Sequence, residues 1–318
     1  MTELTVLIAT HNGASVLPRT LEGYAALGAQ PFAWKLVVID NGSTDETQAV
    51  LASFKDRLPL EILAEEKPGK NAALNRGLTA CEGAFVILSD DDSIPHPGFL
   101  AAWKKALEAY PDTRVFGGAI EPLFDAEPEE WMGEARPHYE ELYADRTAVP
   151  AGPIGADWIF GPNMALRISV FDAGFRFDEG VGPNATKTAY AMGSETAFLH
   201  QLEAAGYKFI FAPGPRVSHI VRAHQITPDY ISGRAYRMGR GTAHKHLQSG
   251  SLVLNERPAI ISLAGKLLRA GKSLPLQVAR LTGSPRRRFD ARWDLAFQRG
   301  YRDELQSRKK SMNNKDLV

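Results

Sequence analysis

Three consecutive carboxylates, Asp90-Asp91-Asp92, follow directly on the apolar run Phe85-Val86-Ile87-Leu88-Ser89. Adjacent carboxylates repel one another, and a divalent cation or solvent relieves that repulsion. A buried strand running straight into acid favours the cation, although a solvated turn ahead of Pro95 and Pro97 would carry the same residues. Asp90 and Asp92, two apart, can face one ligand while Asp91 points elsewhere or caps the turn. In Asp40-Asn41-Gly42-Ser43-Thr44-Asp45, a carboxylate can accept hydrogen bonds from a base or ribose, Gly42 allows a tight turn and Ser43 can cap the next helix. Lys67 and Lys70 flank Pro68-Gly69 at a helix start, a setting that favours phosphate oxygens. No Walker A sequence is present, and no Gly-x-Gly-x-x-Gly follows the first apolar run, which argues against P-loop and dinucleotide chemistry.

These clusters need elements to hold them. Leu4–Ala9, Lys35–Asp40, Leu60–Ala64 and Phe85–Ser89 read as strands buried on both faces, with helical patterns at 14–27, 45–55 and 70–80 between them. The alternation predicts an α/β fold with a mostly parallel central sheet flanked by helices. In such sheets ligands bind beyond the carboxyl ends of the strands, so the polar clusters after them, including Thr10-His11-Asn12-Gly13, should converge on one crevice. Further on, His96–Ala109 and Ser194–Ala205 read as helices, and Val115–Ile120, Asn163–Ile168, Lys208–Phe211 and Val217–Ile220 as strands. A long acidic and aromatic connection, Glu121–Gly161, separates two of these. Pro228–Leu247 and much of 258–282 look helical, and the polar end Ser307–Val318 reads as frayed.

The motif order resembles the family 2 glycosyltransferases: Thr10-His11-Asn12, Val38-Ile39-Asp40-Asn41-Gly42-Ser43-Thr44-Asp45, Lys70-Asn71-Ala72-Ala73-Leu74-Asn75-Arg76-Gly77, then Ser89-Asp90-Asp91-Asp92 before Pro95. The likeness covers roughly residues 4–220 and lies in the recurrence of several motifs at the right spacing. It implies the GT-A fold and a nucleotide-sugar donor, by family analogy a UDP-sugar. It implies a nucleotide-sugar pocket of Thr10, His11, Asp40, Asn41, Ser43, Lys70, Asn71, Asp90 and Asp91. It puts a divalent cation, Mn²⁺ or Mg²⁺, on Asp92 and His219. The general base would be Glu195 of Gly193-Ser194-Glu195-Thr196, with Ser194 where the family often has a second acid. Glu195 would also serve as a helix-opening acid stabilised by the dipole. Trp158 and Asn163 would border the acceptor, or simply pack. The reaction implied is inverting transfer of one sugar to a carbohydrate or lipid-linked saccharide hydroxyl. The family's Pro-x-Tyr-Asn opening is replaced by Thr10-His11-Asn12, and the Gln-x-x-Arg-Trp signature of processive synthases is absent. A sugar nucleotidyltransferase would share the acid-lined crevice but needs a Gly-rich, Arg-bearing loop that is missing after the first strand. A non-catalytic nucleotide-sugar-binding protein would not need Glu195.

The 318 residues suit a catalytic domain over 1–225, with a nucleotide half at 1–110 and an acceptor half at 111–225, and a basic helical extension at 226–318. Hydrophobic residues at 44% supply a core, and no apolar run approaches the roughly 20 residues of a membrane span. The single cysteine excludes an internal disulfide framework. Zero net charge conceals asymmetry: residues 1–255 hold 22 Lys and Arg against 31 Asp and Glu, and 256–318 hold 15 against 6. The basic aliphatic stretches Leu263–Arg269 and Leu274–Leu281, followed by Arg286-Arg287-Arg288, can lie on anionic lipid or cap the acidic body. Sparse aromatic interleaving argues against nucleic acid. The expectation is a cytoplasmic protein, peripheral at the inner face of the cytoplasmic membrane if the basic segment binds lipid.

Overall fold

The apolar runs near the N-terminus form β1 (Leu4–Thr10), β2 (Trp34–Asp40), β3 (Leu60–Ala64) and β4 (Phe85–Asp90) in a computed structural model. It describes residues 3–132, 142–184, 186, 189–248, 281 and 284–315. The four strands pair in parallel in the order β3-β2-β1-β4. Parallel neighbours require crossovers, and α1 (Leu17–Ala26), α2 (Thr47–Ser53) and α3 (Lys70–Leu78) supply them. β1 is buried along almost its whole length, which is why it reads as a continuous apolar run rather than an alternating one. Helix α3 presses Gly77 onto β1 and β2, where a Cβ would come within 2.3 Å of a Leu7 methyl.

The chain continues through β5 (Ser93–Pro95), α4 (Phe99–Ala109), β6 (Val115–Phe124), β7 (Gly152–Ile154), β8 (Asn163–Arg167), α5 (Ile168–Asp172), α6 (Ser194–Ala204) and β9 (Phe209–Val221). Among the described residues the sheet has nine strands, ordered β3-β2-β1-β4-β8-β6-β9-β5, with β7 on β9. β8 runs antiparallel between β4 and β6, so the sheet is parallel up to β4 and mixed beyond it. The two strands expected at 208–211 and 217–220 are one strand, β9. Its register against β6 jumps from Gly118↔Ala212 to Ala119↔Arg216. Pro213 and Pro215 have no N–H to give a ladder, so the intervening residues stay out of the pairing. Asn163 braces this irregularity, its amide nitrogen donating to Ala119 O at 2.8 Å and Pro215 O at 3.0 Å.

The chain divides into two compact units. The first comprises Met1–Asp125, Tyr143–Lys187 and Ser194–Val221; the second comprises Ala126–Leu142, Thr188–Gly193 and Arg222–Val318. The segments 126–142 and 188–193, assigned from sequence to the catalytic domain, thus belong with the C-terminal unit. Neither carries the periodicity that would reveal its partner in advance. In the second unit α7 (Pro228–Gln248) packs on α8 (Pro285–Lys315) with backbones close: a Cβ on Gly239 would lie 2.0 Å from Phe297 O, and one on Gly300 1.9 Å from Tyr236 O. The end expected to fray is helical through Lys315, with Glu304 and Arg308 paired one turn apart at 2.9 Å. The basic stretches at 263–269 and 274–280, and the helix expected over 258–282, lie outside the described residues except for Leu281. Among the described residues no helix is long and apolar enough to cross a membrane.

Removing the Asn163 amide strands two buried carbonyls. Asn163→Ala should cost roughly 2–4 kcal/mol in urea unfolding; an unchanged midpoint would show that the brace contributes nothing.

Candidate active site

Strand register assembles the rim of the site. Asp40 at the end of β2 stands opposite Thr10 of β1, and Ala9 of β1 stands opposite Asp90 of β4. The carboxyl ends of three strands therefore bring these clusters to one edge of the sheet. Asn41 draws in a fourth loop: its Nδ2 donates to Glu65 O and Lys67 O, and its Oδ1 accepts the Gly69 N–H, each at 2.8 Å. Gly69, at φ 136°, then feeds the chain into α3 in a conformation that disfavours any side chain.

Lys70, the first residue of α3, reaches two carboxylates. Its Nζ donates to Asp90 Oδ1 at 2.7 Å and to Glu195 Oε1 at 2.9 Å. Glu195 is the second residue of α6, and its other oxygen accepts the Ser194 hydroxyl at 2.7 Å. Its side chain lies against Gly161, where a Cβ would come within 2.6 Å of Oε1. Beside them, Ser93 pairs with His219 across the antiparallel β5–β9 ladder, and the Ile220 N–H donates to Asp92 O at 2.8 Å. This register sets the Asp92 carboxylate 3.5 Å from His219 Nε2.

Burial and charge act in opposition on these groups. Burial disfavours the Lys70 ammonium, yet Asp90 and Glu195 together push its pKa above the usual lysine range. Burial alone would raise the Glu195 carboxyl; the Lys70 charge and the Ser194 hydroxyl hold it instead at about 2. Asp90 moves the other way, because burial outweighs Lys70 while Asp92 and Glu195 add repulsion. Asp91 is pushed up to about 7 by burial and by Asp92, against its bond from Thr10. At neutral pH Glu195 is thus an ionised carboxylate covered by an ammonium.

Several residues expected to touch a nucleotide are occupied within the protein. The Thr10 hydroxyl donates to Asp91 Oδ2 at 2.6 Å, and Asp91 O accepts from Thr20, so both fasten the strand ends to α1. All of the hydrogen bonds made by the Asn41 amide go to the 65–69 loop. Asn71 donates to Asp178 O and Val181 O, tying a distant loop to α3. Ser43 does not cap α2 but accepts the Asn12 N–H at 2.9 Å; Asp45 takes the Thr47 N–H instead. Asp40 accepts the Ser43 N–H and the Gln48 amide. His11 remains exposed, with Nδ1 2.8 Å from Asn41 O. Asn163, expected at the acceptor, is fully buried in the β6–β9 brace. Trp158 is 53% exposed, and the Arg146 guanidinium lies 5.5 Å from its ring. The sequence marks Gly161-Pro162-Asn163-Met164 only as a stretch that would border the acceptor or simply pack; that the bare backbone of Gly161 admits the Glu195 side chain leaves no local signal.

Among the described residues no three or more His, Cys, Asp or Glu side chains converge as a metal cluster. Asp92 and His219 nevertheless offer one oxygen and one nitrogen, and the imidazole Nδ1 is buried without a partner. Such a pair fits a divalent cation whose remaining ligands are phosphate oxygens and water, and its nitrogen suits Mn²⁺ better than Mg²⁺.

The profile of glycosyl transferase family 2 matches residues 5–175, more than half of the chain. The protein belongs to this family. Relatives include glycosyltransferase AglE of Haloferax volcanii, 31% identical over 99 residues that cover 30% of this chain and 33% of AglE. Another is validoxylamine A glucosyltransferase of Streptomyces hygroscopicus, 38% identical over 99 residues, 30% of this chain and 22% of that protein. The matched stretch thus spans about a third or less of these two relatives. Among solved structures, mannosyltransferase PcManGT from Pyrobaculum calidifontis, in complex with GDP-Man and Mn²⁺, has a TM-score of 0.62 at 19% identity, covering 95% of this chain and 87% of its own. S. aureus TarS 1–349 in complex with UDP has a TM-score of 0.53 at 16% identity, covering 98% and 92%. The fold of this family 2 chain is therefore GT-A.

In Lys70→Met, burial is left to act on Glu195 without its counter-charge, so the carboxyl should titrate above the ordinary glutamate range instead of near 2. A depressed folded pKa contributes above the unfolded value of about 4.3 and is lost as pH falls toward 2. A ¹³C NMR titration of Glu195 in both proteins checks this; equal midpoints would mean that Lys70 does not set the charge.

Proposed function

We propose that this family 2 protein transfers one sugar from a nucleoside-diphosphate sugar, a UDP-sugar by preference, to an acceptor hydroxyl with inversion at the anomeric carbon. The observation that carries the reading is the shared rim: Glu195 lies one ammonium away from Asp90, which is two residues from Asp92. Structural neighbours in complex with UDP, UDP-GlcNAc and GDP-Man support a nucleotide-sugar donor. A relative named for succinoglycan biosynthesis, 28% identical over 95 residues, supports a carbohydrate acceptor, which a lipid could carry. Trp158, half exposed and backed by Arg146, would offer that acceptor an aromatic face. The basic segment 256–318 would suit a lipid-linked acceptor by lying on anionic lipid.

In the displacement, the acceptor oxygen bonds to the anomeric carbon as the bond from that carbon to the diphosphate oxygen breaks, and the hydroxyl proton passes to Glu195. A divalent cation held by Asp92 and His219 would neutralise charge developing on the leaving diphosphate. The residues themselves handle the base. A carboxylate at about 2 is a weak one, so its basicity must rise when substrate arrives. A diphosphate beside Lys70 competes with Glu195 for the ammonium, and drawing that charge aside raises the basicity of Glu195 once the donor is seated. Ser194 keeps the carboxylate oriented throughout.

Glu195→Gln keeps the shape and removes the base. It should lower kcat by about 10²–10⁴, measured as nucleoside diphosphate release, while leaving donor affinity nearly unchanged; NMR of the product should show an inverted anomeric centre. Near-wild-type turnover in Glu195→Gln, or release of pyrophosphate from the donor, would overturn the proposal.

A further inference from the structure

Two arginines of the second unit stand unpaired among the described residues. On α7, Tyr230, Arg234 and Arg237 stand at i, i+4 and i+7, a single helix face. Each arginine buries its Nε without an acceptor, and among the described residues neither side chain forms an ion pair or hydrogen bond. The neighbouring Arg240 differs, since Glu304 takes its guanidinium at 2.6 Å, and Asp229 takes Arg292 at 3.1 Å. Like charges one turn apart repel, and a buried N–H without a partner is costly.

Arg237 is nevertheless fixed in place. The Arg237 guanidinium carbon lies 5.3 Å from the Tyr190 ring centre and 5.7 Å from that of Tyr230. Its Nη1 runs back over Gly233, where a Cβ would stand only 3.3 Å away. Tyr230 is itself held, by the Gln225 amide on its hydroxyl at 3.1 Å and the His224 ring at 5.4 Å. A guanidinium stacked on aromatic faces keeps its plane while its N–H edge stays available for hydrogen bonds. Planar N–H forks match phosphate oxygens.

We propose that Arg234 and Arg237, flanked by Tyr190 and Tyr230, form an anion site for a phosphate or diphosphate group, built wholly from the second unit and needing no metal. The group can be soluble or carried on a lipid, and the test separates these sources. Titration calorimetry of the full chain with inorganic pyrophosphate in EDTA should show binding that Arg234→Gln/Arg237→Gln weakens about tenfold or more. Lys70→Met should retain it. The paired lysine variant, Arg234→Lys/Arg237→Lys, keeps the charge but not the fork and should bind with intermediate affinity, which decides the matter if the glutamine variant fails to fold. Sedimentation with phosphatidylcholine vesicles, with and without phosphatidic acid, then reads the source: acid-dependent pelleting lost in the arginine variants assigns a lipid phosphate, and no pelleting alongside pyrophosphate binding assigns a soluble one. No pyrophosphate binding by the wild type, equal affinity in the arginine variants, or loss in Lys70→Met alone would overturn the site.

Discussion

A half-buried ammonium shared by two carboxylates is the contact on which the site depends. Lys70 begins α3, Asp90 ends β4 and Glu195 opens α6, so a single side chain joins a strand end to two helix starts. The arrangement is stable only as a set, because taking one member away leaves its partners charged and desolvated. The same set keeps Glu195 ionised at neutral pH. Structure and chemistry thus share one electrostatic cause.

Around that contact, asparagine side chains do the positioning. Asn41, Asn71 and Asn163 each give both amide hydrogens to main-chain carbonyls of distant segments. A primary amide carries a donor and an acceptor on a short stem, so it can replace a missing backbone partner where strands end and loops turn. Asn41 places the loop before Lys70, and Asn71 holds residues 178–181 against the helix that Lys70 begins.

The sequence revealed the first half of the sheet because its strands are buried on both faces, which leaves an apolar run that ends in polar residues. The same logic located Asp40 and Asp90 at strand ends and Asp92 in the turn after β4. It stops where one residue type serves two purposes: Asn41, Asn71 and Thr10 suit a nucleotide pocket and suit internal bracing equally well, and the fold adds the bracing contacts. The Lys70–Glu195 contact spans 125 positions and needs the antiparallel β8 to bring Gly161 beneath the carboxylate, which no local pattern records. Prolines 213 and 215 read as a break between strands, although the structure carries β9 past them by a register shift.

The coupling between Lys70 and Glu195 can be measured directly by a double-mutant cycle on unfolding free energy at neutral pH, using Lys70→Met, Glu195→Gln and the pair. Strong non-additivity is expected, with the double variant about 1–3 kcal/mol more stable than the sum of the single losses implies. Additive losses would contradict it, since they would mean that the two charges stand close without depending on each other.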